Sequence, residues 1–156
     1  MTDEHPPVRA AAARALASCV GERVQSALLA ATRDPDPWVV TEAVRALGTV
    51  GSERALPSLM AAAGSASSPI AIAALRSLCA QAAREIVVAI KKAVRHADPE
   101  VVCEAIHAGA CLDAATAGPI LIELLGHRNW NVRRTSASAL AEGGLTVPAE
   151  VLSEML

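Results

Sequence analysis

The sequence predicts an all-α solenoid: one helical hairpin, copied five times and stacked. Three observations carry that prediction. The first is a period of 31 residues that runs along the chain without slipping. Val8, Val39, Ile70, Val101 and Val132 share one column, Leu28, Leu59, Ile90, Leu121 and Leu152 another, and Ala12, Ala43, Ala74, Ala105 and Ser136 a third. Leu16, Leu47, Leu78 and Leu140 form a fourth column, with Gly109 as its one gap. A fixed period marks a supersecondary unit that buries its apolar face on its neighbours. The second observation is composition. The 156 residues include no Phe or Tyr and two Trp, so the core is Ala, Leu, Val and Ile, and Ala, Leu, Arg and Glu are strong helix formers. The third is turn punctuation, which recurs in the same register.

The repeats fall at about 3–33, 34–64, 65–95, 96–126 and 127–156, a single domain over 1–156 that is compatible with being one part of a longer array. Within each, helix A opens at Asp36-Pro37, Asp98-Pro99 or Asn129-Trp130, with Ser67-Ser68-Pro69 and His5-Pro6 as weaker versions. An Asp or Asn side chain caps free N–H groups, and Pro fits the first helical position because its missing N–H had no partner there. The apolar columns of helix A are those of residues 8, 9, 12, 13, 16 and 20, one arc at 100° per residue; the columns of 10, 11, 14 and 18 lie opposite. Helix A ends near Gly21, Gly51, Asp113 and Gly143-Gly144, where Gly supplies a left-handed cap. Helix B opens near Glu22, Glu53, Arg84, Thr116 and Pro148, with Pro57 and Pro119 near helix starts. Its core columns are those of 24, 25, 28, 31 and 32, and its solvent columns those of 22, 23, 26, 30 and 33. Pro148 stands two places before its expected column, which predicts an altered turn after Gly144. The total is ten helices around one continuous core.

A net charge of −2 gives no general attraction to nucleic acid. The apolar runs are short; Ile86-Val87-Val88-Ala89-Ile90 stops at Lys91-Lys92, too short to span a bilayer. The acidic, proline-containing start Asp3-Glu4-His5-Pro6-Pro7 is unlike a secretory signal. Cys19, Cys79, Cys103 and Cys111 fall in four different columns with no C-x-x-C pair, so free thiols in a reducing cytoplasm are expected rather than a disulfide framework or zinc site.

Two helices per 31 residues, without the aromatic signature of tetratricopeptide repeats or the T-P-L-H of ankyrin repeats, narrow the choice of unit. The segment from Asp36-Pro37-Trp38-Val39 to Leu47-Gly48, followed by Arg54-Ala55-Leu56-Pro57-Ser58-Leu59, resembles a HEAT-like repeat, and more closely the short form found in the phycobilisome (bilin) lyase group. Asn131-Val132-Arg133 and Pro119-Ile120-Leu121 repeat parts of the pattern. The resemblance implies a right-handed α–α superhelix. It also implies an inter-repeat ladder between the Arg of a Val-Arg pair and a turn Asp. That pair stands only at Val8-Arg9 and Val132-Arg133, the other sites holding Val40, Ala71 and Val102, so the ladder is incomplete.

Chemistry-bearing residues are sparse. Arg14, Arg45, Arg76 and His107 form a stripe on the outer side of helix A, with Glu42–Arg45 and Glu104–His107 spaced as i,i+3 pairs; the plainer reading is a solvated face. His96 and His127 occupy equivalent turn positions and read as helix-end caps; with no His-Glu dipeptide, no metal or other cofactor is expected. Trp38 and Trp130 open helix A, where closing a repeat junction outweighs stacking on a ligand. No nucleophile elbow and no phosphate loop appears, so catalysis has no supporting constellation.

In HEAT-like stacks helix B lines the concave side. There Arg33, Lys92 and Arg95 concentrate positive charge and Glu123, Glu150 and Glu154 negative charge, around a floor of small residues. A polarised groove suits an extended peptide or helix. The expected function is a non-catalytic adaptor binding a protein or peptide partner on this face. A bilin lyase-like chromophore-handling protein is the alternative that the resemblance implies, and a nucleic-acid-binding HEAT-like protein is a weaker one. The apolar last helix, ending Val151-Leu152-Ser153-Glu154-Met155-Leu156, suggests end-to-end self-association.

Overall fold

The 31-residue punctuation sets where each helix begins. In the computed structural model, which describes residues 3–81, 86–109, 112–144 and 153, the A helices are α1 (Pro6–Leu16), α3 (Pro37–Val50), α5 (Ser68–Ala80), α7 (Pro99–Gly109) and α9 (Trp130–Glu142). The B helices are α2 (Glu22–Ala31), α4 (Leu56–Ala63, after a 3₁₀ turn at Glu53–Ala55), α6 (Ile86–Ala93) and α8 (Ala114–Leu125). All described helices alternate A and B, and no strand occurs among the described residues. Of the predicted tenth helix only Ser153 is described, and it is helical; the altered turn before Pro148, and Glu150 and Glu154, lie outside the described residues.

The first residues of the A helices, Pro6, Pro37, Ser68, Pro99 and Trp130, fall 31 apart. A second device, five residues wide, explains why. At the turn before each A helix a side chain accepts a hydrogen bond from the backbone N–H two residues on: Asp3 from His5 (2.8 Å), Asp34 from Asp36 (2.9 Å), Ser65 from Ser67 (3.1 Å), His96 from Asp98 (3.0 Å) and His127 from Asn129 (3.1 Å). The residue so held is the N-cap. Asp36 then accepts from Trp38 N–H at 2.8 Å, Asp98 from Glu100 at 2.9 Å, and Asn129 from Asn131 at 2.9 Å. Such local side-chain bonds to backbone favour turns and caps over helix interior. The turn histidines act as predicted: the Nδ1 of His96 accepts, which leaves its Nε2–H to donate to Ser65 O at 3.1 Å, one repeat earlier. Gly51 and Gly144 take φ of 62° and 60°, the left-handed region that Gly enters without steric cost.

Each A helix packs along the next, α1 to α3 to α5 to α7 to α9, while each B helix packs chiefly on the A helix of the following repeat, α2 on α3, α4 on α5, α6 on α7 and α8 on α9, with α4 and α6 also touching. This overturns part of the predicted helix A face. Thr41, Glu42, Ala73 and Cys103, in columns 10 and 11, are buried because an inner A helix has a neighbour on both flanks. Column 14 stays outside: Arg14, Arg45, Arg76 and His107 are all exposed. At the first repeat one flank is open, so Val8 is 50% exposed and Ala12 is exposed, while Ala10 and Ala13 are buried against α3. Pro119 is also displaced from expectation. It stands inside α8 rather than in the first turn, where it removes the hydrogen bond that its N–H would have given the Ala115 carbonyl.

The core was expected to be continuous, but it forms two buried clusters. One runs from Ala10 to Ala108 and the other joins Val102, Cys103 and Ile106 of α7 to α8 and α9; among the described residues the partly buried Val94, Leu112 and Ile120 bridge them. The division falls where Gly109 interrupts the leucine column that contains Leu47 and Leu78, both fully buried.

One rung of the arginine ladder is complete. Arg9 meets Asp34 of the next repeat through two parallel bonds, Nε to Oδ2 and Nη2 to Oδ1, both 2.8 Å, while its Nη1 donates to the Asp3 and Glu4 carbonyls at 2.8 and 3.1 Å. Arg133 repeats the second half of that pattern on the His127 and Arg128 carbonyls at 2.9 and 3.2 Å. The Arg9 guanidinium holds the Asp34 carboxyl below the usual carboxylate range. A depressed folded pKa stabilises above the ordinary carboxylate range, and that contribution disappears as pH falls through the folded value. Asp34→Asn should therefore melt below wild type at neutral pH, and the two melting curves should converge under acid; a gap that stays constant down to strong acid would show that the rung is not electrostatic.

Candidate functional site

The B-helix face presents the charged residues that the sequence singles out. Arg33, Lys92, Arg95 and Glu123 are all exposed. None of the four forms an ion pair among the described residues, whereas Glu22 and Arg54 on the same face neutralise each other at 2.8 Å across two repeats.

The structure brings Lys92 and Arg95 together and leaves Arg33 and Glu123 on other repeats. Between the end of α4 and the helix α6 lies an open groove of about 710 Å³, whose lining includes Gly64, Ser65, Val88, Lys91, Lys92 and Arg95, with His96 at the turn. Two local features build it. Gly64 ends α4 with no side chain, and the Lys92 chain lies across it; a Cβ at residue 64 would stand 2.7 Å from Lys92 Cε. This places an ammonium beside the carbonyl end of α4, where the helix dipole favours a cation. Further along α6, Val88 is 63% exposed, an apolar side chain offered to solvent one turn before the lysine pair. The groove therefore has an apolar step flanked by three cations. Lys91 and Val88 belong to it, though the charge pattern read from the sequence counted only Lys92 and Arg95. Spacing gave the missing signal, since Val88, Lys91, Lys92 and Arg95 are i, i+3, i+4 and i+7 on one helix face.

The A-helix stripe is more neutralised. Arg45 pairs with Glu42 at 3.3 Å, as the i,i+3 spacing predicts. Glu104 does not pair with His107: it takes Arg76 of the preceding repeat at 2.7 Å, because neighbouring A helices approach closely enough for a cross-repeat bond to replace the local one. Trp38 and Trp130 are 51% and 65% exposed in the first turn of α3 and α9, and Trp130 lies under Arg134 of its own helix at 5.9 Å.

No three His, Cys, Asp or Glu side chains converge as a metal site among the described residues. Cys19 is exposed and Cys103 buried, where its sulfur accepts weakly from Asn131 and Thr135 at 3.7 Å; Cys111 lies outside the described residues. No described helix is long and apolar enough to cross a membrane.

Comparison with known proteins agrees with this architecture. A family model described as HEAT repeats matches residues 1–79, 61–141 and 86–156. Among solved structures, the chain is similar to the complex of CpcE and CpcF of phycocyanin lyase from Nostoc sp. PCC7120, at 24% identity and a TM-score of 0.60. The match covers 97% of this chain and 62% of that one, so the chain spans less than two thirds of the lyase chain. It is also similar to the crystal structure of an engineered protein, at 21% identity and a TM-score of 0.61, over 99% of this chain and 85% of the other. No curated protein matches it in sequence. At these identities the likeness to solved structures shows the fold.

Proposed function

The chain belongs to the HEAT-repeat family, and we propose that it is a non-catalytic scaffold that binds an acidic segment of a protein partner on its helix-B face. The observation that carries this reading is the α4–α6 groove, with Val88 exposed beside Lys91, Lys92 and Arg95 and no carboxylate among the described residues neutralising them. A groove with one apolar step and clustered cations matches an amphipathic or extended segment bearing Asp or Glu around one apolar side chain. Towards the other end, Glu123 favours a basic residue on the same partner, and Glu150 and Glu154 extend that acidic end by sequence register alone. The likeness to a lyase chain that stands in a complex with another chain supports a protein partner.

The test compares two charge reversals. The immobilised wild-type chain, panned against a random peptide library, should select acidic sequences with an internal apolar residue. Lys92→Glu with Arg95→Glu should weaken capture of the selected peptides by about tenfold or more, because it adds repulsion as well as removing attraction. Arg14→Glu with Arg45→Glu, on the helix-A stripe, should leave capture within about twofold, as expected for exposed charges away from the site. Selection of basic or charge-neutral peptides, or loss of capture only in the stripe variant, overturns the choice of face.

The second reading, a bilin lyase-like chromophore-handling protein, draws on the 97% coverage by the phycocyanin lyase fold. Incubation with a bilin and its apoprotein acceptor, read as covalent attachment by absorbance and by zinc-induced gel fluorescence, decides it. Attachment above the uncatalysed rate would replace the scaffold reading.

A further inference from the structure

We propose a second binding site, independent of the helix-B groove: the cavity between α7 and α9 takes a small amphipathic anion, an apolar body bearing one carboxylate or sulfonate. The repeat itself provides the comparison. Between α3 and α5 the corresponding outer groove holds about 290 Å³ and is lined by surface residues such as Arg45, Thr49 and Arg76. Beneath it the leucine column is filled, with Leu47 and Leu78 fully buried. Between α7 and α9 the column holds Gly109, and the space there grows to about 560 Å³. It reaches past the surface to the core residues Ile106, Leu112, Ala117 and Leu121. That volume lies in the range of small-molecule pockets, which pair an apolar floor with a few placed polar groups.

The polar groups here are at the mouth. Arg134 supplies the positive charge, His107 adds a hydrogen-bonding imidazole, and Glu142 stands further along α9. The Arg134 guanidinium is held over Trp130 at 5.9 Å, and its Nη2 donates to Asn131 Oδ1 at 2.9 Å, so it is oriented without being neutralised; no carboxylate pairs with it among the described residues. A ligand whose apolar body fills the Gly109 gap would bring its anionic end towards this fork, whose N–H groups suit an oxyanion such as a carboxylate or a sulfonate. The cavity also marks the break between the two core clusters, so filling it would join them.

Gly109 makes the proposal testable, because a Cβ there meets nothing within 4 Å among the described residues and its backbone is not in the left-handed region. Gly109→Leu should restore the column, raise the melting temperature and abolish the site. The probe is 1-anilinonaphthalene-8-sulfonate, set against its uncharged parent, N-phenyl-1-naphthylamine. Wild type should bind the sulfonate saturably at one site, and Gly109→Leu should weaken it by about tenfold or more. Ser138→Trp, which narrows the mouth from α9, should do the same and keeps the test open if the leucine variant folds poorly. Arg134→Gln should weaken the sulfonate by about three- to tenfold, the scale of a charge-assisted hydrogen bond in a partly wet site, while leaving the uncharged probe unchanged. Lys92→Glu with Arg95→Glu should leave both probes unchanged, which separates this site from the helix-B groove. No saturable sulfonate binding to wild type, or binding untouched in both Gly109→Leu and Ser138→Trp, overturns the proposal; equal loss of both probes in Arg134→Gln removes the anion requirement and overturns the ligand class.

Discussion

Leu47→Ala is expected to destabilise the chain by about 3 kcal/mol, within the roughly 2–5 kcal/mol typical of buried Leu truncation. Leu47 is fully buried in α3, a helix that packs on α1 and α2 of the preceding repeat and on α5 of the following one. For a domain of this size such a loss corresponds to a fall in melting temperature of about 6–12 °C. The same truncation at Leu16, which is only half-buried in the end repeat, should cost clearly less. Thermal melts of the two variants, followed by helical circular dichroism, check both statements. Equal losses at Leu47 and Leu16 would mean that stacking contributes little, and a change below about 0.5 kcal/mol at Leu47 would mean that the stacked core is misassigned.

Much of this architecture was legible in the sequence, because a repeat reports the same physical requirement several times over. The caps at Asp36, Asp98 and Asn129, the buried columns through Val39, Leu47 and Leu59, and the turn roles of His96 and His127 all follow from local chemistry and period. What period could not give was the neighbourhood. A helical wheel assigns one buried face, yet an inner A helix is enclosed on three sides, so Glu42 and Ala73 are buried although the wheel puts them outside. For the same reason Glu104 reaches Arg76 across the repeat boundary instead of His107 along its own helix. The candidate site was legible in its charges and not in its shape. Lys92 and Arg95 could be read from the chain, but that Gly64 makes room for Lys92, or that Gly109 opens a cavity, depends on which helix lies opposite.

Glycine 48 is where that dependence has its sharpest consequence. Intrinsic propensity alone makes Gly48→Ala a stabilising change, by about 1 kcal/mol, since Gly is the poorest helix former after Pro. The packing predicts the opposite sign. A Cβ on residue 48 would lie 2.6 Å from Ser77 Cβ and 2.9 Å from Ser77 Cα, so the obstacle is the backbone of α5 and cannot rotate away. The same close approach lets Ser77 Oγ donate to the Val44 carbonyl at 3.1 Å while it also reaches Ala73 O at 2.8 Å, in a site that is buried. Pushing α5 back costs overpacking strain of about 1–3 kcal/mol, and weakening a buried hydrogen bond adds about 1 kcal/mol. Net of the propensity gain, Gly48→Ala should lose about 1–3 kcal/mol, and Gly48→Val, which adds two more methyl groups and stiffens χ1, should lose more. The signal was present in the sequence as two columns of small residues, Ala46, Ser77, Ala108 and Ala139 in one and Ala17, Gly48, Cys79 and Ala141 in the other, which set how closely successive A helices approach. Gly118 in α8 is the internal control, because a Cβ there meets nothing within 4 Å among the described residues; Gly118→Ala should follow propensity and raise stability by up to about 1 kcal/mol. Chemical denaturation of the three variants reads the signs directly. If Gly48→Ala and Gly118→Ala both stabilise, then α3 and α5 do not approach at Gly48 as described, and the close spacing of the A-helix layer fails with it.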